Sequence, residues 1–269
     1  GFTFMGIAVK YLPRIPTYEK VFFRNSVSLM LSAFILFREK ESIKVEKENI
    51  PFVFGRSFFG FIGMVANFYA LENLTMAEAN MLNKLSPVFV TICACIFLKE
   101  RVDKKQVIGI ILMLLAVVFV IKPSFSPEVI PSLAGLFSAV LAGFSYTIIR
   151  YLNGKVKSEI NVFYFSLLSV VCTFPLMMMN FVKPTLNEFL ILLGGIGISA
   201  AMGQFGLTYA YTFAPASEVS IYNYVIIITS MLMDYVLFST IPDLFSFIGG
   251  FMIMTTAIYL YIHNKKKDN

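Results

Sequence analysis

The chain has 269 residues, 58% of them hydrophobic and only 14% charged, whereas a soluble domain carries roughly 25% charged residues. A mean hydropathy of +0.77 leaves a water-soluble fold nowhere to bury the excess apolar surface. The net charge of +6 would suit a nucleic-acid binder if it lay along one polar face, but lysine and arginine fall in short clusters between apolar runs, which argues for a lipid environment and against a nucleic-acid partner.

A helix that crosses the hydrocarbon core needs about 20 mainly apolar residues. The chain opens on a partial run, 1–12, stopped by Pro13 and Pro16, which cannot continue a helix. Nine longer runs follow: 19–37, 51–71, 75–98, 106–121, 132–152, 160–179, 188–213, 215–238 and 244–262, with a basic tail over 263–269. Connections such as 99–105 and 240–243 are too short for a soluble domain and join antiparallel neighbours. With the partial helix starting in the cytoplasm, fourteen Lys and Arg fall in inner loops and five in outer ones. That bias puts both termini on the cytoplasmic side of the cell membrane. Cys93, Cys95 and Cys172 lie inside apolar runs and form neither a disulfide framework nor a zinc spacing.

Compared with itself at a constant offset of 140 residues, the chain aligns rare polar positions without a gap. Glu19 meets Glu159, Tyr69 meets Tyr209, Glu78 meets Glu218, Asn83 meets Asn223, Asp103 meets Asp243 and Gly109 meets Gly249. Two unrelated greasy segments would mostly match Leu, Ile and Phe, so the matches point to a duplicated unit. The expected fold is an all-α membrane protein of ten transmembrane helices, built from two five-helix repeats, 1–122 and 132–262. An odd number of spans inverts the second copy, an arrangement common in secondary transporters. Gly1 aligns with Leu141, so the first helix is expected to be truncated, lacking the counterpart of 132–140.

Residues 69–123 carry a YAL turn, Ser86-Pro87 inside the fourth span, an LKER corner at 98–101 and Gly109 in the fifth. This segment resembles the EamA-type repeat of the drug/metabolite transporter superfamily, and the stretches around Arg24 (VFFRN) and Arg56 (GRSFFG) are similar to it too. The resemblance covers the whole chain, more weakly in the second half, where Ile227 replaces the proline and Thr240 the glutamate of the corner. It implies ten helices, inverted repeats and a central substrate cavity, and it leaves the solute open.

An ionisable group within a span costs roughly 2.5–3.5 kcal/mol, so each needs a reason. Lys84 lies near the middle of its helix beside Asn83, where a cation suits a carboxylate or phosphate of a solute, or else an internal ion pair. Arg24 and Arg56 sit about one and a half turns inside their spans, placed either to face a cavity or to snorkel to the interface. Asn223, the repeat mate of Asn83, together with Asn67 and Gln204, offers hydrogen bonds to a solute or to neighbouring helices. Tyr146 and Tyr209 are aromatic candidates for the cavity wall. Glu78 and Glu218 stand in first helical turns and read as dipole partners, which leaves Asp234 as the candidate for ion or proton coupling.

The expected function is a secondary transporter that moves a small anionic or zwitterionic metabolite by alternating access. A channel or lipid scramblase on the same helices ranks second. An intramembrane enzyme ranks third, because the one histidine, His263, lies at the C-terminal edge away from other chemistry-bearing residues. No cofactor or metal is implied. The expected partners are a small-molecule substrate and membrane lipid, with a homodimer compatible.

Overall fold

The computed structural model describes residues 1–97, 99, 103–121, 129–213, 222 and 224–268. Among them every regular element is a helix. In chain order these are α1 (Phe2–Lys10), α2 (Thr17–Arg38), α3 (Ile50–Asn73), α4 (Met76–Asn83), α5 (Ser86–Phe97), α6 (Lys104–Ile121), α7 (Val129–Leu152) and α8 (Ser158–Met179). There follow α9 (Leu186–Leu190), a π-helical segment (Ile191–Ile198), α10 (Ser199–Phe213), α11 (Val225–Phe238) and α12 (Leu244–Asp268). Eight helical stretches are long and apolar enough to cross a membrane, counting Met76–Phe97 and Leu186–Leu207 as one each, and α11 is a shorter apolar helix.

Local chemistry explains the boundaries. Pro16 precedes α2 and Pro51 occupies the first turn of α3, where a missing N–H costs nothing. Thr75 and Glu78 form a reciprocal capping box at the start of α4, and Thr185 and Glu188 do the same for α9. Asp103 accepts from the Gln106 backbone N–H at 2.8 Å, and its mate Asp243 accepts from the Ser246 N–H at 2.8 Å, so the same residue type opens α6 and α12. The structure departs from the expected runs in three places. The fourth span is interrupted rather than continuous, the 188–213 run contains the π-helical segment, and the tail continues α12 to Asp268 instead of leaving the helix at 262.

The burial pattern is the reverse of a soluble protein's. Phe37 and Met179 are largely exposed while Ser28, Ser138, Ser166 and Ser169 are fully buried. A hydrocarbon solvent favours that arrangement, since each helix satisfies its own backbone and turns its polar side chains inward. With eight span-length helices, the chain is a multi-pass membrane protein. The main helix pairs are α3 with α7, α2 with α8 and α6 with α12, while the π-helical segment packs on α1 and α2. Small residues permit the closest approaches: a Cβ on Gly63 would come within 3.1 Å of Leu141, and one on Gly135 within 3.0 Å of Leu82.

Candidate functional site

The interruption between α4 and α5 positions Lys84. Pro87 has no N–H to return to the Asn83 carbonyl, and the Leu85 N–H bonds to Leu82 O at 3.2 Å in a tightened turn. Lys84 therefore sits at the break, directly after the last residue of α4. It lies over the ring of Phe2 of α1, whose centroid is 5.9 Å from Nζ. Among the described residues no carboxylate pairs with it.

Arg24 of α2 and Arg56 of α3 do not snorkel. They are 4% and 3% exposed, and both guanidinium groups lie against the ring of Phe165 on α8, at 5.6 Å and 4.3 Å from its centroid. Arg24 donates through Nη1 to Asn25 Oδ1 at 2.7 Å and through Nη2 to Gln204 Oε1 at 3.4 Å, both neutral acceptors. Asn83 Nδ2 donates to Ser138 Oγ at 3.1 Å, and Ser145 Oγ donates to the Arg56 carbonyl at 3.1 Å, which ties α7 to α4 and α3.

These groups border one cavity of about 110 Å³. Of the candidates named from sequence, Arg24, Arg56, Asn67, Asn83, Lys84, Tyr146 and Gln204 line it. Tyr209 does not: its ring packs tilted beside Phe205 and meets Glu159 at the start of α8. Asn223 and Glu218 lie outside the described residues. Asp234 is also away from the cavity. Its two carboxylate oxygens accept from the Met76 and Ala77 N–H groups at 3.1 and 2.8 Å, with Lys10 Nζ at 3.8 Å, so it caps the first-turn amides of α4 from another helix. Glu78 closes its capping box and accepts from Ser246 Oγ at 2.6 Å.

Sequence reasoning missed Asn80, Ser138, Ser145 and Phe165, all in the wall. Asn80 lies one helical turn before Asn83 and Lys84, and Ser138 and Ser145 share a face of α7 at heptad spacing, so helical periodicity carried a signal for these three. Phe165 carried none, being one of 29 phenylalanines. Chemically, the wall combines three cations, several amide and hydroxyl groups and no acidic residue. Such a chamber attracts anions and repels cations.

A family model described as the EamA-like transporter family matches residues 1–122 and again 130–262. The chain is 30% identical over 248 residues to the pseudopaline exporter CntI of Pseudomonas aeruginosa, covering 91% of this chain and 86% of the exporter. It is 26% identical to an S-adenosylmethionine uptake transporter of Rickettsia conorii, covering 97% of this chain and 88% of the other. A solved crystal structure superposes with a TM-score of 0.68 over 97% of this chain and 94% of its own, and at 17% identity that likeness concerns the fold alone.

Proposed function

The chain belongs to the EamA-like transporter family, and from that premise we propose that it is a secondary transporter moving a small anionic or zwitterionic metabolite across the cell membrane by alternating access. The observation that carries the proposal is the polar, basic cavity at the interrupted α4–α5 span, since transporters place their sites at such broken helices near the midplane. The two relatives named above, an exporter of pseudopaline and an importer of S-adenosylmethionine, support a metabolite carrier while differing in solute and direction.

The architecture we propose is ten helices in two inverted five-helix repeats with both termini cytoplasmic. Packing supports it, because helix pairs exchange under the 140-residue offset: α3 with α7 answers to α1 with the π-helical segment, α5 with α7 to α1 with α11, and α3 with α8 to α2 with the π-helical segment. The two separate matches to one family model support the duplication. The lysine and arginine bias supports the orientation. A cavity of about 110 Å³ is below the roughly 300–1,000 Å³ typical of small-molecule sites, so the solute must widen it. Relative motion of the repeats is the proposed means.

We read Asp234 as a structural cap of α4 rather than a coupling site, given the two amides it accepts from. The test of the carrier is solute counterflow in proteoliposomes, in which Lys84→Gln lowers uptake by about tenfold or more, the worth of one charged hydrogen bond. Unchanged uptake in folded Lys84→Gln protein would remove Lys84 from the mechanism. Lipid translocation or single-channel conductance without saturable exchange would favour the scramblase or channel reading instead.

A further inference from the structure

The chamber holds more positive charge than one acidic group can balance, and it holds that charge at two separate places. At the first, Arg24 and Arg56 converge on Phe165 from different helices, and centroid distances of 5.6 and 4.3 Å keep their guanidinium carbons within 9.9 Å of each other. Arg24 Nε and Arg56 Nε and Nη1 have no hydrogen-bond partner, in side chains only 4% and 3% exposed. Unpaired buried guanidinium donors are costly, and two like charges on one ring raise that cost. Gly60 makes the arrangement sterically feasible: a Cβ there would lie 2.7 Å from Arg56 Nη1, 3.1 Å from Phe165 Cε2 and 3.2 Å from Ser145 Oγ. The absent side chain is thus a cradle for the Arg56 head group.

At the second place, Lys84 stands on a different wall, at the α4–α5 break against Phe2. Among the described residues no hydrogen bond or cation–π contact joins it to Phe165, Asn25 or the arginines. Among the described residues none of the three cations is ion-paired, and none of the residues lining the cavity is an aspartate or glutamate. A monocarboxylate that neutralised the arginine pair would leave Lys84 bare. An amino acid would bring an ammonium group into a wall that has no acid to receive it.

We propose that the transported solute is a small organic acid with at least two separated carboxylates, one taken by Arg24 and Arg56 beside Phe165 and the other by Lys84. This rests on the transporter reading above and narrows its solute. Arginine suits the first point because its planar fork binds a carboxylate through two parallel bonds, and lysine suits the second as a point charge.

The test uses the full chain and four-carbon probes of matched length. Thermal stabilisation of detergent-purified protein is measured with succinate, butyrate and 4-aminobutyrate, with citrate as a third acid and glycerol 3-phosphate as a single-point dianion. Succinate or citrate is expected to bind at least about tenfold more tightly than butyrate or 4-aminobutyrate, the preference worth one charged hydrogen bond. Lys84→Gln should bring succinate to within about threefold of butyrate, while Arg56→Gln weakens both acids and Gly60→Ala follows Arg56→Gln in milder form. Arg56→Lys, which keeps the charge, guards against a folding defect being read as lost binding. Equal affinity for 4-aminobutyrate and succinate overturns the proposal, as does tighter binding of glycerol 3-phosphate, equal loss of succinate and butyrate in Lys84→Gln, or no binding of succinate and citrate. Counterflow separates the two levels. Saturable, Lys84-dependent exchange of a solute with a single carboxylate, such as S-adenosylmethionine, would sink the two-acid solute and leave a carrier standing, whereas lipid translocation without saturable exchange of any probe would sink the carrier itself.

Discussion

The two segments matched by the family model share their helix punctuation and differ in their charge. At the 140-residue offset Asp103 and Asp243 both open a helix by accepting the backbone N–H three residues on. The three cations that line the cavity have no such mates: Arg24 meets Tyr164, Arg56 meets Ile196 and Lys84 meets Tyr224. The second segment lines the chamber with neutral groups instead, Ser138, Ser145 and Tyr146 on α7, Phe165 on α8 and Gln204 on α10. Across the offset the helix-opening aspartate is repeated, while the cations that line the cavity are not. Electrostatics gives a reason, since a second set of cations across a cavity of about 110 Å³ would double the desolvation cost and add like-charge repulsion.

The comparison can be broken by treating mates alike. Arg56→Gln should reduce counterflow by about thirtyfold or more, the effect of truncating one side of a buried charged contact. Ile196→Val, at the mate position, should leave uptake within about threefold and cost only about 1 kcal/mol of stability. Equal losses of uptake in the two variants would show that charge does not distinguish the segments.

Asp234 separates structure from transport. Asp234→Asn weakens the cap on the Met76 and Ala77 amides and is expected to lower stability by about 2 kcal/mol in a thermal melt, with uptake per folded molecule nearly unchanged. An unaltered melt with lost dependence on a proton or cation gradient would restore the coupling role.

Tyr164, the mate of Arg24, donates its hydroxyl to the Ile43 carbonyl at 2.9 Å, outside the chamber. Tyr164→Phe should change uptake by less than about twofold and stability by about 1 kcal/mol at most. The smallest effect is expected at Asp103. The Gln106 backbone N–H, and after it the His263 side chain, hold the Asp103 carboxyl below its ordinary range. Its contribution to stability is therefore present above the unfolded carboxylate value and fades as pH falls through the depressed folded one. Melting curves of wild type and Asp103→Asn should converge as pH drops below about 4; parallel curves would show the cap to be without thermodynamic weight.

Much of this was legible in the chain because the membrane constrains it so strongly. Long apolar runs and prolines located the helices, and the scarcity of charge within spans singled out Arg24, Arg56 and Lys84. Tyr209 was misplaced because a tyrosine in a span is equally at home against lipid, and Asp234 was read as a coupling group because its amide partners lie 157 and 158 residues away in the chain. The π-helical segment left no trace beyond a cluster of glycines, which also serve close helix packing.

By itself the sequence determined that the chain lives in lipid, roughly where its apolar helices run, and which side chains are too costly to bury without purpose, since these follow from transfer energies. Only the tertiary structure decided that Arg24 and Arg56 meet on Phe165, that Gly60 leaves room for them, and that Asp234 caps α4 rather than facing the cavity. Those outcomes depend on which helix faces approach one another, and helix faces are matched by packing between residues far apart in the chain.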